Sequence, residues 1–298
     1  MEFTVSLGMP FSLEYTLESG QLFRWERSGE WWRGIVRGSV LKLKQEGEVL
    51  RCSTGNDLID STFVSSYFRL DDDLDHILAT LSKDETITRA VEKFYGLRLV
   101  SQDPWECLAS FVLATNANIP RIKKMVGALC ANYGRPFEFE GANYAAFPSP
   151  EELAVASEAD LLACGLGYRA PFLKRIATSV ASGNVDLARL GAFGYHESRE
   201  FLMAELPGVG PKVADCVLLY SFGKDEAFPI DVWIARVLAK TYPRLLSPEL
   251  RKKLSPQGKV KLSSSDYDKI SAKVRAYFGG YAGYAQQYLY IAAREQAL

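Results

Sequence analysis

The feature that most constrains the fold of this chain is a change in the spacing of its apolar residues near Asn56. Before it, apolar and polar residues alternate, with apolar residues at Phe11, Leu13, Tyr15 and Leu17. A period of two is that of β-strands with one buried face. Beyond Asn56 the spacing is helical, with apolar residues at Ile87, Ala90, Val91 and Phe94. The pattern predicts an α+β fold.

Turn residues divide the first part of the chain at nearly constant spacing, at Ser28-Gly29, Gly38-Ser39 and Glu46-Gly47. Such turns between alternating segments favour an antiparallel meander. From residue 103 onward nearly every segment has the pattern of a helix, including one continuous helix over 150–163. We expect a small N-terminal antiparallel β-sheet domain over 1–85 and a mainly helical region over 86–298.

The composition is that of a globular protein: 48% of the 298 residues are hydrophobic and 24% are charged. No apolar run reaches the roughly 18 to 20 residues that span a bilayer, and the N-terminus does not begin like a secretory signal. Five widely spaced cysteines lack C-x-x-C pairs, which argues against a zinc site or an iron–sulfur cluster. We expect an intracellular protein, cytoplasmic if the host is prokaryotic.

The formal net charge of −1 argues at first against a nucleic-acid partner, because such partners favour basic domains. The charges are distributed unevenly, however. Residues 1–100 carry 12 Lys and Arg against 16 Asp and Glu, whereas residues 101–298 carry 23 against 20. A surface that binds a polyanion is therefore expected in the second part of the chain.

The segment Leu206-Pro207-Gly208-Val209-Gly210-Pro211-Lys212 joins two predicted helices. Its glycines permit a tight turn, and proline favours the first turn of the second helix. We interpret about 196–222 as a helix-hairpin-helix. The backbone N–H groups of Gly208, Val209 and Gly210 can then approach a DNA phosphate without reading the base sequence. The alternative is a tight corner between helices that binds nothing.

Two charged residues at predicted helix starts are candidate catalytic residues. Lys212 follows the hairpin, and a neutral lysine amine is a nucleophile that forms Schiff bases, although an isolated lysine is more often a solvated surface residue. Asp231 precedes an apolar helix, where a carboxylate caps the helix and can also stabilise a cation or relay a proton. The two roles of Asp231 are compatible.

Together these segments resemble the helix-hairpin-helix DNA glycosylases, and in particular the 8-oxoguanine DNA glycosylase/AP lyase family with its L-P-G-V-G-x-K-V-A-D-C signature. The resemblance extends from about Thr16 to Tyr290. It implies that Lys212 attacks C1′ of an extruded damaged nucleotide and that Asp231 supports the charged transition state.

Two segments resemble the parts of this family that hold the flipped base. Residues 19–25 resemble S-G-Q-x-F-R-W, which implies that the Gly20 carbonyl accepts the N7–H of the oxidised purine, where guanine itself has an acceptor. Residues 281–290 resemble A-G-W-A-Q-x-x-L-F, which implies that Gln286 binds the Watson–Crick edge and Tyr290 stacks on the base, with Cys216 at its other face. From the residues alone, a bend between strands and an aromatic core remain alternatives.

Residues 116–121 resemble N-x-N-I-x-R and residues 165–170 resemble G-L-G-Y-R-A. The resemblance implies that Asn116 fills the gap left by the flipped base, that Tyr168 wedges into the stack, and that Arg121 and Arg169 contact the orphaned cytosine. An extruded base leaves unpaired edges that polar side chains satisfy. One departure is Trp233, where eukaryotic members carry a histidine.

The family implies an enzyme that flips out and excises 8-oxoguanine, preferably opposite cytosine, from duplex DNA and then cleaves the strand by β-elimination. It implies a monomer with no required cofactor and a structural cation on the hairpin carbonyls of Ala204, Leu206 and Val209. Two alternatives remain. A monofunctional glycosylase for alkylated bases does not need Lys212, and a non-catalytic DNA-binding module does not need Asp231.

Overall fold

A computed structural model describes residues 1–254 and 262–297. Within these ranges an antiparallel five-stranded sheet precedes a mainly helical region, which confirms the α+β prediction. The sheet has the order β1-β5-β4-β3-β2. Its strands are β1 (Glu2–Ser6), β2 (Trp25–Ser28), β3 (Trp31–Val36), β4 (Ser39–Glu46) and β5 (Val49–Thr54).

The helices before the second, two-stranded sheet are α1 (Leu13–Glu18), α2 (Ser61–Tyr67), α3 (Leu74–Leu81), α4 (Glu85–Lys93), α5 (Pro104–Leu113) and α6 (Ile119–Tyr133). That sheet pairs β6 (Pro136–Phe139) with β7 (Ala142–Ala145). The later helices are α7 (Pro150–Val155), α8 (Glu158–Ala163), α9 (Ala170–Ala181), α10 (Tyr195–Glu205), α11 (Pro211–Phe222), α12 (Val232–Thr241), α13 (Pro248–Lys253), α14 (Ser264–Phe278) and α15 (Ala282–Arg294).

The prediction of a strand around Leu13 and Leu17 is wrong, because these residues lie in α1. The Ser12 side chain accepts a hydrogen bond from the Tyr15 N–H and caps this helix. Leu13, Thr16 and Leu17 are the buried residues, and this spacing of three and four is that of one helix face. The cap at Ser12 favours a helix here, and the alternation of apolar and polar residues over 11–17 was too short to predict a strand.

The continuous helix predicted over 150–163 is also wrong. Ser157 accepts a hydrogen bond from the Asp160 N–H at 3.1 Å and caps α8, so the chain turns between two short helices. A serine that bonds the backbone in this way competes with the helix ladder. The small β6–β7 hairpin was not predicted.

Two hydrophobic clusters fill the molecule. One joins the sheet with α2, and the other joins α3 to the later helices. The bidentate ion pair of Arg69 with Asp225, with both N–O distances at 2.7 Å, connects the end of α2 to the loop after α11. The domain boundary at residue 85 stays a prediction.

All five cysteines are buried free thiols. Burial raises the pKa of Cys52 to about 12 and those of Cys130 and Cys216 to about 11. In residues 1–254 and 262–297, the helices are too short or too polar to cross a bilayer.

Candidate active site

A cavity of about 840 Å³ opens between the N-terminal bend and the helical region. It is lined by residues from distant parts of the chain, among them Gly20, Asn116, Lys212, Asp231 and Gln286. A concave site of this size that collects polar groups from several elements is where a ligand is expected. The fold therefore brings together the two predicted catalytic residues and most of the predicted base-binding residues.

The helix-hairpin-helix is formed by α10, the turn over 206–210 and α11. Gly208 has φ +83°, and a Cβ at this position would lie 2.8 Å from Phe172 Cγ. Glycine is therefore required both for the left-handed backbone and for the close approach of α9. Gly210 is the N-cap of α11, and no side chain caps this helix start. The first N–H groups of α11 therefore lack both helical partners and a side-chain cap, and such groups can bind an anion.

Lys212 lies in the first turn of α11, directly after Pro211. Its Nζ lies 4.8 Å from the centroid of the Phe111 ring. That ring stacks on Tyr220 with a centroid distance of 5.5 Å and an interplanar angle of 20°. The stacked rings of Phe111 and Tyr220 thus form one side of the amine's surroundings, and Lys212 lines the cavity.

Asp231 is the N-cap of α12 and accepts a hydrogen bond from the Ile234 N–H at 2.8 Å. Burial raises the pKa of Asp231, and the Ile234 hydrogen bond and the charge of Lys212 oppose this shift. Both Lys212 and Asp231 line the same cavity. Asp231 thus caps the helix and shares the cavity with the amine, whose charge acts on its carboxyl group.

Gly20 has φ +81°, and a Cβ there would meet the Tyr290 ring at 2.9 Å. The carbonyls on both sides of it are held in place. The Ser19 carbonyl accepts from Gln287 Nε2 at 2.7 Å, and the Gln21 carbonyl accepts from Gln102 Nε2 at 2.8 Å. Such anchoring restricts the backbone on both sides of Gly20.

Gln286 is 3% exposed and receives a 3.4 Å contact from the Tyr220 hydroxyl at its Oε1. Tyr290 lines the same cavity one helical turn later on α15. Burial raises the pKa of Tyr290 to about 12, and nearby Asp231 adds to the shift. Cys216 also lines the cavity, one turn after Lys212 on α11. The four predicted base-binding residues therefore share one cavity.

Three of the four predicted DNA-reading residues, Asn116, Tyr168 and Arg169, lie together around the Thr115 carbonyl. Asn116, with φ +51°, lines the cavity and donates from Nδ2 to the Tyr168 hydroxyl at 3.1 Å. Tyr168 is 51% exposed. Arg169 is 2% exposed, and its guanidinium bonds the carbonyls of Thr115 and Leu166. Arg121 is exposed at the start of α6, outside the cavity lining.

Sequence reasoning missed several residues that build the site: Phe111, Tyr220, Tyr267, Gln287 and Arg294. Gln287 carried a usable signal, because two adjacent glutamines on an otherwise apolar helix need buried partners. Phe111 and Tyr220 carried none, since a buried aromatic residue under a lysine looks like any core residue.

Residues 5–108 match the N-terminal domain of 8-oxoguanine DNA glycosylase, and residues 109–253 match the HhH-GPD superfamily of base excision DNA repair proteins. A curated N-glycosylase/DNA lyase of Saccharomyces cerevisiae is 32% identical over 93% of this chain and 82% of its own length. A probable N-glycosylase/DNA lyase of Methanothermobacter thermautotrophicus is 32% identical over 78% of this chain and 83% of its own. The chain belongs to the 8-oxoguanine DNA glycosylase family.

A solved structure in this glycosylase family has the same fold over nearly the whole chain. It is the 8-oxoguanine glycosylase/lyase of Clostridium acetobutylicum in complex with double-stranded DNA containing cytosine opposite 8-oxoguanine. Its TM-score is 0.85 and its identity 32%, over 97% of this chain and 93% of that chain. The resemblance drawn from the motifs is confirmed.

One residue of this glycosylase site departs from the eukaryotic pattern. Trp233 is 41% exposed in the first turn of α12, at the cavity rim, and Arg236 lies over its ring at 5.8 Å. In the described ranges 1–254 and 262–297, no group of three or more His, Cys, Asp and Glu side chains is arranged to hold a metal ion.

Proposed function

We propose that this protein is a bifunctional DNA glycosylase and AP lyase that excises 8-oxoguanine, preferably opposite cytosine, from double-stranded DNA. The observation that carries the proposal is the convergence of Lys212, Asp231, Gly20 and Gln286 on one cavity of about 840 Å³. Two of its relatives are an N-glycosylase/DNA lyase and a probable N-glycosylase/DNA lyase. A lysine nucleophile, a carboxylate and a base-reading carbonyl are the parts that this chemistry needs.

In the proposed reaction, Lys212 Nζ forms a bond to C1′ as the bond between C1′ and the base breaks. The carboxylate of Asp231 stabilises the positive charge that develops on the sugar. The amine gives up a proton to the departing base. The C1′–O4′ bond then breaks as the imine forms, and O4′ takes up a proton from solvent. Loss of a proton from C2′ to solvent expels the 3′ phosphate by β-elimination, and water hydrolyses the imine to free Lys212. Every step uses groups of the chain, the DNA and water, so the proposed chemistry requires no cofactor.

The remaining predicted residues have roles in holding the DNA. The Gly20 carbonyl accepts the N7–H that distinguishes the oxidised base, Gln286 bonds its Watson–Crick edge, and Tyr290 and Cys216 enclose it. Asn116, Arg121, Tyr168 and Arg169 contact the vacated position and the orphaned cytosine. Since Arg169 now bonds the Thr115 carbonyl, its contact with cytosine requires that this bond be exchanged.

The hairpin N–H groups of Gly208 and Gly210 bind a backbone phosphate, and that of Val209 joins them when its hydrogen bond to the Leu206 carbonyl is exchanged. The carbonyls of Ala204, Leu206 and Val209 fit a structural cation, because they lie at a helix end and in the turn, where carbonyls lack helical partners. The Leu206 carbonyl accepts from the Val209 N–H at 3.2 Å and keeps its second lone pair. We further propose that the enzyme acts inside the cell as a monomer.

Borohydride trapping tests the proposal. The protein is incubated with a duplex containing 8-oxoguanine opposite cytosine, and borohydride reduces any imine to a covalent complex. We expect a trapped complex for the parent and for Lys123→Gln, whose lysine lies outside the cavity, and none for Lys212→Gln. Base release without trapping, retained in Lys212→Gln, identifies a monofunctional glycosylase. Binding without base release identifies a non-catalytic module.

A further inference from the structure

A buried carboxylate outside the proposed chemistry lies at the centre of a hydrogen-bond network. Asp215 is fully buried on α11 and accepts three hydrogen bonds. The donors are the Tyr195 hydroxyl at 2.8 Å, Arg199 Nε at 3.0 Å and the Tyr267 hydroxyl at 2.6 Å. Because a buried carboxylate is costly without partners, these three donors hold it in one geometry.

Tyr267 extends this network to the loop that carries Asp231. Its hydroxyl donates to Asp215 and accepts from the Ile230 N–H at 3.0 Å. Ile230 directly precedes Asp231, whose carboxylate is held on its other side by the Ile234 N–H. The Tyr267 side chain, 5% exposed, lines the wall of the cavity.

The network connects the two proposed catalytic groups. Lys212 and Asp215 lie three residues apart on α11, about one helical turn. A single tyrosine hydroxyl joins this helix to the backbone immediately before Asp231. One chain of hydrogen bonds therefore joins the helix that carries Lys212, through Tyr267 on α14, to the residue before Asp231.

We propose that Tyr267, anchored on Asp215, is a positioning residue that sets the Asp231 carboxylate against Lys212. The inference rests on the proposed function for its effect on the reaction. Neither Tyr267 nor Asp215 exchanges a proton with the DNA. Their effect is on the rate of the chemical step, because misplacement of a catalytic group by an ångström costs on the order of 100-fold.

The first test compares Tyr267→Phe with Tyr242→Phe. Tyr242 is a buried tyrosine that donates to Asp84 at 3.2 Å, away from the cavity, so its variant also loses one tyrosine–aspartate hydrogen bond. We expect Tyr267→Phe to lower the single-turnover rate of 8-oxoguanine release by about 10- to 100-fold. Its dissociation constant for the DNA should stay within about twofold of the parent value. In Tyr242→Phe both the single-turnover rate and the dissociation constant should stay within about twofold of the parent values.

A double-mutant cycle separates positioning from a general structural effect. In an Asp231→Asn background the carboxylate is gone, so Tyr267→Phe should change the remaining rate by less than about twofold. An equal fall in both backgrounds overturns the inference, as does a Tyr267→Phe rate equal to that of Tyr242→Phe.

Amide hydrogen exchange tests the geometry independently of activity. Loss of the hydroxyl removes the acceptor of the Ile230 N–H and loosens the cap that protects the Ile234 N–H. We expect both amides to exchange faster in Tyr267→Phe than in Tyr242→Phe, and unchanged exchange overturns the inference. If the parent does not release 8-oxoguanine, the proposed function fails, and the exchange result still decides whether Tyr267 holds the loop.

Discussion

A single glycine of the cavity wall is held by several neighbours at once. Gly20 combines a left-handed backbone, a tyrosine ring close to its Cα and two anchored flanking carbonyls. Tyr290 and Gln287 on α15 supply two of these constraints and Gln102 a third, so the position is restricted before any DNA binds. Preorganised acceptors of this kind lose little on binding because their orientation is already fixed.

A side chain at Gly20 should therefore abolish base recognition. In Gly20→Ala the added methyl group meets Tyr290 and strains the backbone, and we expect excision to fall by about 100-fold or more. Gly29→Ala is the matched control, because Gly29 also has a positive φ but an added Cβ there has no atom within 4 Å. The control should lose about 1 to 2 kcal/mol of stability and keep its excision rate. Equal rates for the two variants would contradict this role.

Glu106 predicts a pH dependence of stability. Burial raises its pKa from 4.5 to about 7, partly opposed by the charge of Arg24. The stabilising contribution of its protonated form is full below about pH 4.5 and is lost as the pH rises through about 7. We expect the free energy of unfolding to fall between pH 5 and pH 8 by roughly 1 to 3 kcal/mol less in Glu106→Gln than in the parent. Urea unfolding at the two pH values measures this difference, and an equal fall in both proteins would refute it.

At the scale of elements, one residue, Asp231, both begins a helix and lines the cavity that holds the Lys212 amine. Asp231→Ala removes the cap of α12, and we expect the free energy of unfolding to fall by about 1 kcal/mol. Asp60→Ala removes the similar cap of α2, where Asp60 accepts from the Phe63 N–H at 2.8 Å, and should cost about the same. Excision should be lost only in Asp231→Ala. If Asp60→Ala also loses excision, the loss reflects instability.

The helix-hairpin-helix lies where the sequence predicted it, because glycines that permit a tight turn and a proline in the first turn mark the boundary between its two helices. The prediction was wrong at 13–18 and 150–163, where a single serine starts a new helix and competes with the wider apolar pattern. In the site, Lys212 and Gly20 were identified by motif. Tyr267 could not be, because its role depends on contacts between residues far apart in the chain, whereas Gln287 was missed although two adjacent glutamines on an apolar helix indicate buried partners.

At the scale of the whole molecule, the Arg69–Asp225 pair is a connection between the two hydrophobic clusters. Asp225→Ala leaves a mostly buried guanidinium with Asp72 alone, and we expect a loss of about 3 kcal/mol. Glu140→Ala breaks the more exposed pair with Lys42 and should cost at most about 1 kcal/mol. Thermal or urea unfolding measures both. Equal losses would mean that the connection contributes no more than a surface pair.

The uneven charge distribution predicts salt-dependent DNA binding despite the net charge of −1. Phosphate contacts release counterions, so the logarithm of the binding constant should fall linearly with the logarithm of the salt concentration. A titration of undamaged duplex between low and physiological salt measures the slope. A flat profile would contradict a basic binding face in the second part of the chain.

The five buried thiols bear on the conditions in which such an enzyme works. A protein that repairs oxidised bases is most needed when peroxide is abundant, and peroxide attacks the thiolate form of cysteine. Burial keeps these sulfurs protonated, including the one at the wall of the base cavity. The thiols of the catalyst are thereby less reactive towards the oxidants that create its substrate.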